Sequence, residues 1–255
     1  LAQPGLGLLR ERVFRAPHHS VSAAGMIGGG APPRPGEISL ASNGVLFLDE
    51  LPEFPRHVLE TLRQPLEDAV VTIARATGRA SFPARFVLAA AMNPCPCGWA
   101  GKQGRRCRCT PGMIDRYRGR LSGPLLDRID LHVEVPAVKA SELARTAPGE
   151  SSATVRARVV DARERARKRN ASCGVLWNAH LAPRHLPLAC RMSDQARSTL
   201  DHAMDALALS ARAHDRILKV ARTLADLAGA ELIDTAHVAE AVKYRTLDRL
   251  PGEVV

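Results

Sequence analysis

No stretch of the 255-residue sequence approaches the ~18–20 consecutive apolar residues that a membrane-spanning helix needs, and residues 1–20 contain no signal peptide. Both absences lead to the expectation of a cytoplasmic protein. Cysteine is sparse: six residues, four of them clustered between positions 95 and 109. That is too few and too local for a disulfide scaffold, and a cytosolic chain would keep its thiols reduced, so metal binding rises as an explanation. Internal repeats and low-complexity tracts are lacking too. The first residue is Leu1 rather than Met, so the expectation is a piece of something longer.

What the sequence has in excess is positive charge. Lys and Arg number 36 against 26 Asp and Glu, for a formal net charge of +10, which favours polyanionic partners. The excess is uneven. Residues 101–120 carry seven basic side chains against Asp115, and residues 151–170 carry seven against Asp161 and Glu164. The second run reads equally well as a solvated helix face. With 45% hydrophobic and 24% charged residues, the composition is otherwise that of a globular chain long enough to bury a core.

Over the first two-thirds, short apolar runs alternate with looped or helical segments. "GVLFL" (44–48), bounded by Asn43-Gly44 and Asp49-Glu50, suits a strand buried on both faces of a parallel sheet. "FVLAAAM" (86–92) has the same character, and "LHVEV" (131–135) is a third candidate strand. Between the first two, "PRHVLETLRQPLED" spaces Val58, Leu59, Leu62 and Leu66 as in a helix that Pro65 is expected to end or kink. "VVTIARATGRASF" (70–82) reads as a β-hairpin around Thr77-Gly78.

Composition shifts near residue 140. Beyond the linker-like "TAPGESS" (146–152) the patterning is helical. Val155, Val159, Ala162 and Ala166 form one stripe, Ser193, Ser210 and Asp234 stand at N-cap positions, and Gly229 stands at a helix stop. The expected organisation is α/β: a parallel sheet with helices over 1–139, truncated at its N-terminus, then a small all-helical lid domain over 140–255.

Asp49 and Glu50 close the first strand. Carboxylates at the C-terminal edge of a parallel strand sit where open α/β sheets bind ligands; one can hold Mg²⁺ while the other orients or deprotonates an attacking water. The alternative is that the pair merely opens the next helix, where negative charge suits the dipole. Asn93 ends the next strand at the corresponding edge. A neutral amide there can bridge an attacking water or a terminal phosphate without adding charge. Arg128, in "SGPLLDRIDLHVEV" (122–135), would either be satisfied within its own chain by Asp127 or Asp130 or project into a neighbouring subunit's nucleotide. For the paired His18 and His19 a loop-structural or subunit-interface role is expected over a ligand role.

Cys95, Cys97, Cys107 and Cys109 give C-x-C-x₉-C-x-C. Four thiolates are the ligand set of a structural zinc site, although C-x-C is less usual than C-x₂-C, and free thiols or a redox switch are the alternatives.

In this order the motifs resemble those of AAA+ ATPases of the magnesium-chelatase-like group and, more closely, the ComM/YifB family. The strings that carry the resemblance are "FRAPHHS", "RPGEISLASNGVLFLDELPEF", "MNPCPCG", "RRCRCTP" and "SGPLLDRIDLHVEVP", and it extends from about residue 10 to residue 249. It implies an ATP-hydrolysing homo-oligomeric ring, expected to be a hexamer. Asp49 and Glu50 would be the Walker B pair, Asp49 toward Mg²⁺ and Glu50 as base. Asn93 would be sensor 1, Arg128 an arginine finger acting in trans, and Arg212 sensor 2. The resemblance also implies DNA as partner, through branch migration or helicase action. It puts Arg75 and Arg79 near the tip of a pore-facing hairpin, as candidates to track the DNA backbone.

One departure stands out. The pattern G-x-x-x-x-G-K-[ST] occurs nowhere, and "GWAGKQG" has neither its spacing nor its hydroxyl residue. The family's phosphate loop would lie upstream of Leu1. Without that backbone N–H cradle and its Lys, these 255 residues alone are expected to bind ATP weakly or not at all. The competing expectations are a chelatase-type subunit that drives metal insertion into a porphyrin, and a zinc-stabilised DNA-binding module without ATPase activity.

Overall fold

The computed structural model describes residues 11–75, 78–101, 106–136, 138 and 149–245. The chain forms two compact units, Leu1–Ile129 and Asp130–Val255; the expected junction at 139/140 lies outside the described residues. Among those residues no helix is long and apolar enough to cross a membrane.

The strands of the first unit are β1 (Phe14–Arg15), β2 (Gly28–Gly29), β3 (Arg34–Pro35), β4 (Val45–Leu48), β5 (Val70–Arg75), β6 (Gly78–Pro83) and β7 (Val87–Ala90). Strands β1, β4 and β7 form a parallel sheet in that order. The central strand β4 buries Leu46 and Leu48 completely, against Met26, Ile38, Val58, Leu59 and Leu62. Its other face, Val45 and Phe47, is only half-buried, so the strand is covered less evenly than its apolar sequence implies. Close approach of β1 to β4 depends on Gly44: a Cβ there would lie 2.0 Å from the Val13 carbonyl oxygen, which accepts the Val45 N–H at 2.8 Å.

The hairpin forms as expected, with β5 and β6 antiparallel from Val70↔Pro83 to Arg75↔Gly78. The expected interruption ahead of Pro65 is present, whereas the expected strand over 131–135 is not. The segment 55–68 is two short helices, Arg56–Glu60 and Arg63–Asp68, and Pro65 sits in the first turn of the second. There its missing N–H costs nothing, because first-turn amides have no intrahelical partner. "LHVEV" is not a strand. Leu131, Val133 and Val135 point outward, and the His132 N–H donates to the Tyr244 carbonyl at 2.7 Å, so this extended segment is anchored to a helix end and not to a sheet.

The second unit is helical. Its helices are Ser152–Asn170, Leu186–Ala189, Asp194–Ala206, Ala211–Ala228 and Thr235–Lys243. Ser193 and Ser210 cap through backbone N–H groups three residues on, Asp234 forms a capping box with His237, and Gly229 stops its helix in the left-handed region. Leu200, Ile217, Ala221, Ala225, Ile233 and Val238 form the core. The first helix is capped by Ser151 and buries Ala162, Ala166 and Asn170, while Val159 is exposed. The expected stripe therefore packs only along its C-terminal half.

Candidate functional site

Parallel pairing brings three strand ends to one edge. Leu48 is opposite Ala90; beyond them Ala91 N–H donates to the Leu48 carbonyl and Leu51 N–H to the Ala91 carbonyl, each at 2.9 Å. Asp49 and Glu50 thus emerge beside Ala91 and Met92, with Asn93 next along β7, and all three polar residues are exposed. Asp49 Oδ1 accepts the Glu50 N–H at 2.9 Å. Glu50 adopts φ 51°, ψ 46°, the left-handed region that a non-glycine residue occupies at a cost. This turn diverts the chain into the 3₁₀ segment Leu51–Glu53 and leaves both carboxylates at the sheet edge.

His18 and His19, for which a loop-structural or subunit-interface role is expected, also lie at this edge. Because β1 is the other neighbour of β4, the segment following it arrives beside Glu50: His19 Nδ1 is 3.6 Å from Glu50 Oε2. The His19 ring lies against His18, centroids 3.9 Å apart, and edge-on to Phe54. His18 Nδ1 in turn contacts Ser20 Oγ at 2.9 Å. A two-residue strand carries no periodicity, so nothing in the sequence marks the histidines as neighbours of Glu50.

Arg128 is buried. Its Nη2 lies 2.7 Å from Glu67 Oε2 and its Nη1 donates to the Pro124 carbonyl at 2.5 Å. Glu67, distant in sequence, is thus a carboxylate partner of Arg128, while Asp130 pairs with Arg216. Arg212 is exposed in the first turn of helix Ala211–Ala228 in the second unit. Arg75 is the last residue of β5, and Arg79, near the start of β6, is exposed.

The four cysteines converge. Cys95 and Cys97 sulfurs are 3.4 Å apart, Cys95 and Cys107 3.7 Å, and Cys97 and Cys107 3.5 Å; all four sulfurs lie within 4.8 Å of one another. Disulfides require about 2.05 Å. A tetrahedron of thiolates around zinc, at about 2.3 Å per bond, has sulfur–sulfur edges of about 3.8 Å. The set therefore fits a tetrathiolate centre and could bind zinc. Its protons are unevenly held: backbone N–H groups of Arg108 and Trp99 lower the Cys97 thiol to about 6, whereas desolvation and its thiol neighbours push Cys109 up to about 12. A divalent cation would remove that conflict by stabilising every thiolate together.

The sequence profile described as "Magnesium chelatase, subunit ChlI" matches residues 2–143, and that described as "Magnesium chelatase, subunit ChlI C-terminal" matches residues 149–245. The chain belongs to this family. Within it, the chain is of the ComM/YifB type. It is 50% identical over 242 residues to YifB of Escherichia coli, covering 94% of this chain and 47% of YifB. Identity is again 50% over 242 residues to the competence protein ComM of Haemophilus influenzae, covering 94% and 46%. The chloroplastic magnesium-chelatase subunit ChlI of Nicotiana tabacum is 23% identical over 193 residues, 76% of this chain and 34% of that protein. The chain thus spans about half the length of the ComM and YifB relatives, members of a family of AAA+ ATPases.

Proposed function

We propose that the chain supplies the hydrolytic edge and the lid of a ring-forming, ATP-driven DNA-remodelling motor, assembled as a homo-hexamer and acting in branch migration or strand separation. The observation that carries this reading is the convergence of Asp49, Glu50 and Asn93 at one edge of adjacent parallel strands.

The roles in this reading are assigned as follows. ATP is the substrate, and Glu50 is the base that takes the proton of the attacking water. Asn93 offers a neutral donor and acceptor to that water or to the terminal phosphate, where another charge would oppose the reaction. Mg²⁺, when bound, neutralises phosphate oxygens, and Asp49, a hard and exposed carboxylate, is the residue that would hold it. Arg128 acts in trans on a neighbouring subunit's nucleotide, exchanging Glu67 for phosphate, and Arg212 approaches the same phosphate from the lid. These 255 residues contain no phosphate-loop motif. The four cysteines hold a structural zinc ion. DNA is tracked by the exposed Arg79, with Arg75 at the paired strand end, consistent with the net charge of +10.

The test is ATP turnover by the full-length protein with and without single- and double-stranded DNA. DNA-stimulated turnover that Glu50→Gln abolishes, with DNA binding retained, is the expected result. Turnover that survives Glu50→Gln overturns the catalytic assignment. The family profile also favours a second reading, a chelatase-type subunit; turnover indifferent to both forms of DNA would support it over the motor.

A further inference from the structure

We propose that the metal centre formed by Cys95, Cys97, Cys107 and Cys109 positions Asn93, and so sets the rate of ATP hydrolysis without touching ATP. This rests on the proposed roles of Asn93 and of the cysteines.

Asn93 is held from both ends of one closed loop of chain. On one side, Cys95 follows it by two residues and is fully buried. Cys95 opens a tight turn in which the Gly98 N–H donates to the Cys95 carbonyl at 3.0 Å and the Ala100 N–H to the Cys95 sulfur at 3.3 Å. The Asn93 carboxamide lies over this turn: a Cβ on Gly98 would stand 3.6 Å from Asn93 Oδ1. Among the described residues no side-chain hydrogen bond fixes that carboxamide, so packing against the turn is what aims it.

On the other side, Cys109 is followed at once by Thr110, the N-cap of helix Pro111–Arg118. Near the end of that helix Tyr117 is buried; desolvation raises its phenol, and the nearby Asn93 backbone N–H acts in the opposite direction, which puts this end of the helix beside Asn93. The next residue, Arg118, donates from Nη2 to the Pro94 carbonyl at 3.4 Å. The path from Asn93 through Cys95, across the sulfur cluster to Cys109, and along the helix back to Asn93 is therefore a ring. No disulfide closes it, since all four cysteines are free. A shared metal ion closes it by ligation, and its loss opens the ring beside the residue that meets the substrate.

The experiment uses the full-length protein. Metal analysis is expected to find about one zinc per chain, and Co²⁺ substitution to give the absorption of a tetrahedral tetrathiolate, lost in Cys107→Ser. Stripping the metal with a chelator is expected to lower kcat by roughly tenfold or more while KM for ATP changes little, with recovery on returning Zn²⁺. A protein that binds no stoichiometric zinc or Co²⁺, or a stripped protein that turns over at the holo rate, overturns the proposal. So does a loss of ATP affinity that matches the loss of kcat, which marks general unfolding.

Gly98→Ala separates aim from folding. It keeps all four thiols but places a side chain at φ +76° beside Asn93; zinc content is expected to stay and kcat to fall roughly threefold or more. Unchanged kcat in this variant counts against the proposal. Asn93→Ala distinguishes the two failures: if it leaves kcat unchanged, the role given to Asn93 is wrong, whereas if it lowers kcat and metal removal does not, the coupling is wrong.

Discussion

Arg128 and Glu67 form an ion pair across the first unit, Nη2 to Oε2 at 2.7 Å, with the arginine side chain 6% exposed and the glutamate 37%. Glu67→Gln removes the counter-charge from a buried guanidinium and is expected to cost about 1–3 kcal/mol, the penalty for leaving a buried donor unsatisfied. A lower urea midpoint at unchanged slope checks this. If Arg128 acts in trans, Glu67→Gln leaves turnover of the assembled protein intact, while Arg128→Ala lowers it by about 10³-fold or more. Arg128→Ala at the parental rate would falsify that role.

His19 faces Glu50 at 3.6 Å, partly exposed, with its ring set by His18. His19→Ala releases the carboxylate from this neighbour and is expected to lower kcat roughly three- to tenfold with little change in KM, a range appropriate to a solvent-accessible contact. Steady-state kinetics on the full-length protein decides it. Equal changes in both constants would indicate a binding role instead.

In the second unit Asp226, 3% exposed, is shared by Arg169 and Arg222. Its Oδ2 also accepts from Asn178 at 2.8 Å, and Arg222 donates to the carbonyls of Ala230 and Glu231. Asp226→Ala strips the counter-charge from a fully buried arginine and is expected to destabilise by about 3–5 kcal/mol. Chemical denaturation monitored by circular dichroism measures it.

Gly44→Ala puts a methyl group against the Val13 carbonyl, 2.0 Å away. The expected outcome is separation of β1 from β4 and a loss of about 1–3 kcal/mol, as in other overpacked sites. Faster amide exchange at Val45, whose N–H bonds to that carbonyl, reports the change locally.

Arg79 is exposed near the start of β6. If it contacts a phosphate, Arg79→Ala weakens DNA binding about equally across sequences and reduces the slope of log K against log salt by about one. An unchanged slope removes Arg79 from the interface.

Much of the site was legible because its signals are local. "GVLFLDE" places two carboxylates at a strand end, "AAAMN" places an amide at the next, and parallel pairing of adjacent apolar runs puts both ends on one edge. The helix caps Ser193, Ser210 and Asp234 were equally readable, since a cap satisfies amides only a few residues away. The C-x-C pairs pointed to a ligand set before any fold was known. Errors arose where a local pattern admits two outcomes. The alternation of "LHVEV" suits a strand, but a strand needs a neighbour with open hydrogen bonds, and this segment meets a helix end instead.

By itself, then, the sequence determined the kinds of chemistry present and the order of the elements that carry them, because residue type and spacing act over a few positions. Which distant groups meet was decided only by the tertiary structure. Glu67 reaches Arg128 from 61 positions away, β1 delivers His19 to Glu50, and the four sulfurs draw within 4.8 Å of one another beside Asn93. Such meetings depend on strand order and packing summed over the whole unit, and no local window of sequence contains them.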